Sequence, residues 1–345
     1  MRLVRNLAAA CRAGALALAA LGALLPVAHA VAQTDGPTTG SPAMTALDGA
    51  IRQWNYTVEQ VRRIADANGA ITSVRERLQV SANGTSNPDF AITFLGVDGE
   101  PAGSPLHVRW QQTYARHGRR FFTQGSFRVA NVDSADANYT VHDFGPTVRA
   151  GRSAHRLVVL PNAFDKSIWL IETDDATKLP LYSAEFDAHL RLLSEVEATQ
   201  FTPGTTSLPL QSQPTTTVAD FQTALATMGN PRKVIAPVTG VTGEYELDRI
   251  DVQNDPLNGQ WQMTMTYTDG IDQFVIVQTP GTTDSFATLP GKSSRRPVIG
   301  RYRDPAMTVL VFWEGGVSFQ VAGRGSLRRL DALARDVYRQ ALRAR

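Results

Sequence analysis

Apolar and polar positions alternate along most of this chain, and the alternation breaks in few places. Val74, Leu78 and Val80 alternate with Ser73, Arg75, Arg77 and Gln79, and Phe90, Ile92 and Phe94 alternate with Ala91 and Thr93. A period of two residues predicts strands with one buried face. The pattern continues through Val108, Trp110 and Tyr114, then 119–124, 126–132, 139–142, 155–160, 166–172, 181–187 and 190–201, with short turns between most runs. Short turns predict antiparallel neighbours in sequential order. Before this region, Leu47, Ile51, Trp54, Val58 and Val61 recur every three or four residues, which predicts one helix ended by Asn68-Gly69. One helix and eight or more meandering strands imply a curved sheet wrapped around the helix.

After residue 217 the pattern changes to a short helix at 218–228, a strand at 243–252 and two hairpins. Asp269-Gly270 turns the hairpin at 260–278, and Glu314-Gly315-Gly316 turns the one at 308–321. A final helix begins after Ser326, a good N-cap, with Leu327, Leu330, Ala334, Val337 and Ala341 as its apolar stripe. The overall expectation is an α+β, β-rich chain with a smaller α/β C-terminal domain.

Two stretches lack periodicity altogether. Val31–Ala43 is rich in Thr, Gly, Ser and Pro, and Thr202–Thr217 has three prolines and no charge. They read as a flexible leader and an extended connector. The expected organisation is therefore a signal peptide at 1–30, a leader at 31–43, a β domain at 44–201, a linker at 202–217 and a C-terminal domain at 218–345. The signal reading rests on Arg2, Arg5 and Arg12, the apolar run Ala13–Leu25, and the small residues of Ala28-His29-Ala30. That run is about 13 residues, short of the roughly 20 a spanning helix needs. Cys11 precedes the apolar run, whereas a lipoprotein box follows it.

Export changes the chemistry that is available. The single cysteine, Cys11, leaves with the signal, and with it thiol chemistry, thiolate metal sites and disulfides. Of 34 basic residues three are lost, so 31 face 32 acids and the formal charge moves from +2 to near neutrality. Near-neutral balance argues against nucleic acid as an electrostatic partner.

Motifs for catalysis or cofactors are absent from the sequence. There is no His-Glu-x-x-His, no Gly-x-Ser-x-Gly, and the third glycine expected after Gly323-Arg324-Gly325 is replaced by Arg328. No enzyme activity, metal or cofactor is expected. Two surfaces could instead carry function. Phe90, Phe94, Trp110, Phe121, Phe122 and Trp169 could line an apolar groove for acyl chains, or could be plain core. Arg324, Arg328 and Arg329, at the head of an arginine-loaded terminal helix, could form a docking patch or a solvated face.

One segment breaks that tie by resemblance. Tyr139–Gly204 contains Ala150-Gly151-Arg152-Ser153-Ala154, a strand ending at Pro161, Trp169-Leu170, a turn, and Leu179-Pro180-Leu181. This resembles the MucB/RseB family of periplasmic sigma-E regulators. Tyr267-Thr268-Asp269-Gly270-Ile271 is similar to that family's Tyr-Ser-Asp-Gly-Leu hairpin, and Ala322-Gly323-Arg324 stands where it usually has Val-Gly-Glu. The resemblance implies a first domain shaped like the LolA and LolB lipoprotein carriers, an open β-barrel with a helix across its mouth. It also implies a smaller domain that docks the periplasmic part of an anti-sigma factor and shields it from proteolysis until a lipidic envelope-stress ligand acts. A periplasmic lipid or lipoprotein carrier without an anti-sigma partner is the alternative.

Overall fold

The computed structural model describes residues 41–343, apart from 66–68, 124, 165, 205–206, 209–214, 232, 237–244, 255–258, 282–299, 305–306 and 325–326. The expected signal peptide and most of the leader lie outside the described residues, as does part of the connector. Residues 42–345 group as one compact unit containing two antiparallel sheets.

The chain enters through helix α1 (Pro42–Gln53), followed by β1 (Tyr56–Ala65), β2 (Ile71–Ser81) and β3 (Asp89–Val97). Helices α2 (Pro105–Thr123) and α3 (Val132–Asn138) come next, then a five-strand meander: β4 (Tyr139–Arg149), β5 (Arg152–Pro161), β6 (Ile168–Asp174), β7 (Pro180–Phe186) and β8 (Leu192–Pro203). These eight strands are ordered β3-β2-β1-β8-β7-β6-β5-β4. Pairing of β1 with β8 puts the first and last strands side by side and leaves β3 and β4 as the two edges. The sheet is open, as expected. Since the chain leaves one edge at β3 and re-enters at the other, its connection must cross a face, and α2 with α3 makes that crossing.

The second sheet is built from β9 (Thr215–Val218), β10 (Glu246–Asn254), β11 (Trp261–Thr268), β12 (Gln273–Pro280), β13 (Gly300–Asp304), β14 (Met307–Glu314) and β15 (Val317–Gly323). Its order is β13-β14-β15-β12-β11-β10-β9. Helix α4 (Phe221–Thr227) and the long α5 (Leu327–Arg343) accompany it. Leu330, Leu333, Ala334 and Val337 of α5 pack on Ile276, Leu310, Phe312, Phe319 and Val321. The strand neighbours of those residues, Val275, Val277, Val309, Val311 and Ala322, point the other way. They join Trp110, Tyr114 and Phe121 of α2 and Ile64, Val74 and Val97 of the large sheet in one cluster. Both faces of the second sheet are therefore buried, which explains the near-continuous apolar runs of β12, β14 and β15.

Four expected elements take a different form. The helix expected through Val61 stops at Gln53, and Tyr56–Ala65 is a strand in which every second residue is buried. Val58 is buried while Val61 lies on the outer face, so their helical spacing was fortuitous. The alternation was hidden because two inward positions are polar, Gln60 and Arg62. The strands expected around Val108–Tyr114 and 119–124 form one helix, α2, whose Trp110, Tyr114 and Phe121 fall on one side at spacings of four and seven. The strand expected at 126–132 is irregular chain that leads into α3. There Asn131 caps the helix by accepting a hydrogen bond from Ser134 N at 3.0 Å.

A charged seam as the candidate functional site

The Asp269-Gly270 turn places the β11–β12 hairpin tip against the inside of the large sheet. Ile271 at the tip packs with Met44, Leu47, Phe127, Tyr139, Leu157 and Trp169. Ala130 N donates to Gly270 O at 2.8 Å, and Asn138 Nδ2 donates to Asp269 O at 3.0 Å. Gly270 has φ +107°, and a Cβ there would lie 2.5 Å from Ala135 Cα, so glycine is needed for both conformation and approach. Asp269 is fully buried. Its carboxylate pairs with Lys166 Nζ at 2.7 Å, accepts from Tyr139 Oη at 3.0 Å, and accepts from Ile271 N and Asp272 N at 3.1 and 2.8 Å. A buried carboxylate with a paired ammonium and several donors is the arrangement that makes charge burial tolerable. Burial, with the Asp269 charge beside it, pushes the Tyr139 hydroxyl far above its usual range.

A second tie lies at the end of β15. The Arg324 guanidinium pairs with Glu185 of β7, and donates to Ser194 Oγ at 2.9 Å and to Gly125 O at 3.4 Å. Glu185 also accepts from Ser167 Oγ at 2.7 Å. Burial lowers the Arg324 pKa and the nearby Arg62 lowers it further, while Glu185 opposes both. Arg62 sits inside the large sheet, where it meets Glu76 at 2.8 Å, Ser126 Oγ at 3.1 Å and the same Gly125 carbonyl. Tyr114 of α2 donates to Glu76, and Gln60 Nε2 donates to it at 2.5 Å. A third tie joins β10 to the β2–β3 loop, with Arg249 and Arg128 both donating to Asn87 Oδ1, at 2.7 and 2.8 Å. Burial lowers the Arg128 pKa to about 10. The two sheets thus meet across an apolar centre crossed by buried, hydrogen-bonded charge.

Of the six residues expected to form an acyl groove, five are buried and Phe94 is half-buried, and they are divided among three clusters. Phe90 and Phe122 pack together at 4.4 Å between ring centres, beside Leu78, Val80 and Leu181. Trp110 and Phe121 belong to the cluster shared between the sheets, and half-buried Phe94 packs against it. Trp169 packs edge-on to Phe127 at 5.4 Å, under the hairpin tip. Of the three arginines expected on a docking surface, Arg324 is engaged inside the molecule and the Arg329 guanidinium lies 5.0 Å above the Tyr245 ring. The Arg328 side chain lies outside the described residues.

Lys166, Glu185, Arg62, Glu76 and Asp272 were not anticipated as a group. The available signal was a charge on the inward side of an alternating strand, visible for Arg62, Glu76 and Glu185 once the register is known. Among the described residues no three His, Asp or Glu side chains are grouped so as to hold a metal ion.

No family model matches this chain, and no curated protein does. Among solved structures it is similar to the crystal structure of MucB, at 15% identity with a TM-score of 0.48, over 87% of this chain and 98% of that one. It is similar to the Pseudomonas aeruginosa MucA/MucB complex at 17% identity with a TM-score of 0.46, over 85% of this chain and 97% of that one. A further structure of MucB in complex with periplasmic MucA is 16% identical with a TM-score of 0.46, over 86% and 97% of the two chains.

Proposed function

We propose that the mature chain is a periplasmic regulatory binding protein of the MucB/RseB kind. In this reading the large open sheet takes up a lipidic envelope-stress ligand, and the protein docks the periplasmic segment of a membrane anti-sigma factor, shielding it from proteolysis. No catalytic step is assigned to it. The observation that carries the reading is the segment Tyr139–Gly204, several of whose resembling residues have structural work. Ala150 and Gly151 make the tight turn from β4 to β5 with φ of 49° and 72°, and Arg152 pairs with Asp174 at 2.6 Å. Trp169 and Leu181 supply core from β6 and β7. The Asp269-Gly270 hairpin of the second sheet, the other resembling element, sits against the concave side that a ligand would have to enter.

Five of the six aromatics are buried in this conformation, so an acyl chain can reach them only by displacing α1, α2 or the hairpin tip. Ligand uptake and sheet-to-sheet contact then compete, and a ligand can alter a partner surface without touching it. The test uses the whole mature chain. It is mixed with the periplasmic segment of a single-span membrane protein encoded beside its gene, and binding is followed by calorimetry with and without micelle-free acyl lipid. The reading expects a 1:1 complex whose affinity falls at least tenfold when lipid is present. Lipid uptake without partner binding would convert the protein to a carrier, and absence of both would overturn the binding role.

A further inference from the structure

The last helix, α5 (Leu327–Arg343), uses its two sides differently. Leu330, Leu333, Ala334, Val337 and Ala341 are buried in the core of the second sheet, so that side is closed. The other face of the same sheet meets α2 and the large sheet, which makes α5 the outer layer here. On its open side Arg335, Arg339 and Arg343 follow one another every four residues and are exposed. A rise of about 1.5 Å per residue sets them in a row roughly 12 Å long. Arg335 pairs with Asp331 at 2.9 Å, and Arg339 pairs with Asp336. In both pairs the arginine lies outermost: its side chain is 57% or 64% exposed, against 22% and 32% for the aspartates. Exposed pairs within a helix are favoured by only about twofold, so these guanidinia can change partner. The helix holds five arginines and two aspartates, an excess of three, on a chain whose formal total is +2. Positive charge is therefore concentrated on α5 and offset elsewhere.

We propose that the open side of α5 is a docking surface for anionic phospholipid headgroups, on which the protein rests with this helix parallel to the membrane plane. A row of guanidinia along a straight helix meets a flat array of phosphates together, and each can hold a phosphate through two N–H groups. An acidic protein fits less well. Among the described residues, none of the large apolar side chains left exposed lies on α5, so the face lacks the apolar anchor around which protein interfaces are built. The apolar side of α5 is already engaged inside the molecule, so the helix adsorbs at headgroup level and does not insert. Each arginine near an anionic surface strengthens binding about fivefold, and salt screens the effect. The inference needs neither lipid uptake nor a protein partner, and neither of those depends on it.

Co-sedimentation of the whole mature chain with phosphatidylcholine vesicles, with and without phosphatidylglycerol, tests the surface. At low salt, binding should be roughly tenfold or more stronger with phosphatidylglycerol, and about 0.5 M salt should abolish the difference. The triple variant Arg335→Gln, Arg339→Gln, Arg343→Gln should lose the preference. Arg75→Gln with Arg77→Gln, at two exposed arginines of β2, should keep it. No preference for phosphatidylglycerol, a preference that survives in the triple variant, or one lost equally in the β2 variant would each overturn the proposal. Should the triple variant not fold, Arg343→Gln decides: a fall of about fivefold is expected, and an unchanged affinity refutes the surface. Equal binding to both kinds of vesicle, insensitive to these arginines, would be lipid uptake, which removes this face and leaves the proposed function standing. If wild type ignores vesicles and the triple variant loses the anti-sigma complex, the face belongs to an acidic protein and the proposal fails.

Discussion

Replacing Lys166 by Met tests how much the second sheet depends on its buried anchor. The Lys166 ammonium lies 2.7 Å from the Asp269 carboxylate, and neither side chain is exposed. At an effective dielectric of about 20, two charges at this separation attract by roughly 6 kcal/mol. Methionine recovers part of that, because no ammonium then has to be desolvated. Asp269 also keeps Tyr139 and two backbone donors in the variant. Breaking a buried pair by removing one partner costs about 3–5 kcal/mol, and the remaining donors place this case near 3. With a urea dependence of roughly 3 kcal/mol per molar, the unfolding midpoint falls by about 1 M. Equilibrium urea titration, followed by the fluorescence of the buried Trp110 and Trp169, measures this. The double variant Lys166→Met with Asp269→Asn removes the stranded charge and keeps an acceptor for the turn amides, so it should recover at least half of the loss. A cost below about 1 kcal/mol for Lys166→Met, typical of an exposed pair, would refute the reasoning, as would a double variant no better than the single one.

Gly270→Ala should be as damaging as any core truncation, since the new methyl meets the Ala135 backbone at a φ of +107°. A thermal unfolding scan should show a large drop in midpoint, and a change of only a degree or two would mean that the tip does not sit where described. Trp110→Ala should cost about 3–5 kcal/mol, because the indole is buried in the cluster shared by both sheets. Phe164→Ala, at a side chain left 84% exposed, should lie within about 0.5 kcal/mol of wild type in the same urea titration.

Much of the strand order was legible because local rules suffice for a meander. From β4 to β8 each strand pairs with its sequence neighbour, and both C-terminal hairpins turn at the expected glycines. The same rules failed where a residue's period was set by a distant partner. Arg62 and Gln60 look like solvent positions until Glu76 and the Gly125 carbonyl are brought to them. Trp110 and Tyr114 fit a strand as well as a helix until α2 is placed between two sheets.

The candidate site divides along the same line. Alternation, turn glycines and the resembling segment by themselves determined a β-rich chain, its hairpins and its sequential pairings, because these depend on residues a few positions apart. Only the tertiary structure decided that Asp269 and Arg324 face Lys166 and Glu185, 103 and 139 positions away. Those pairings arise from the crossing of the large sheet by α2 and α3, and from a second sheet apolar on both faces. A second sheet buried on one side would have left Arg324 in water, where the sequence pattern alone would put it.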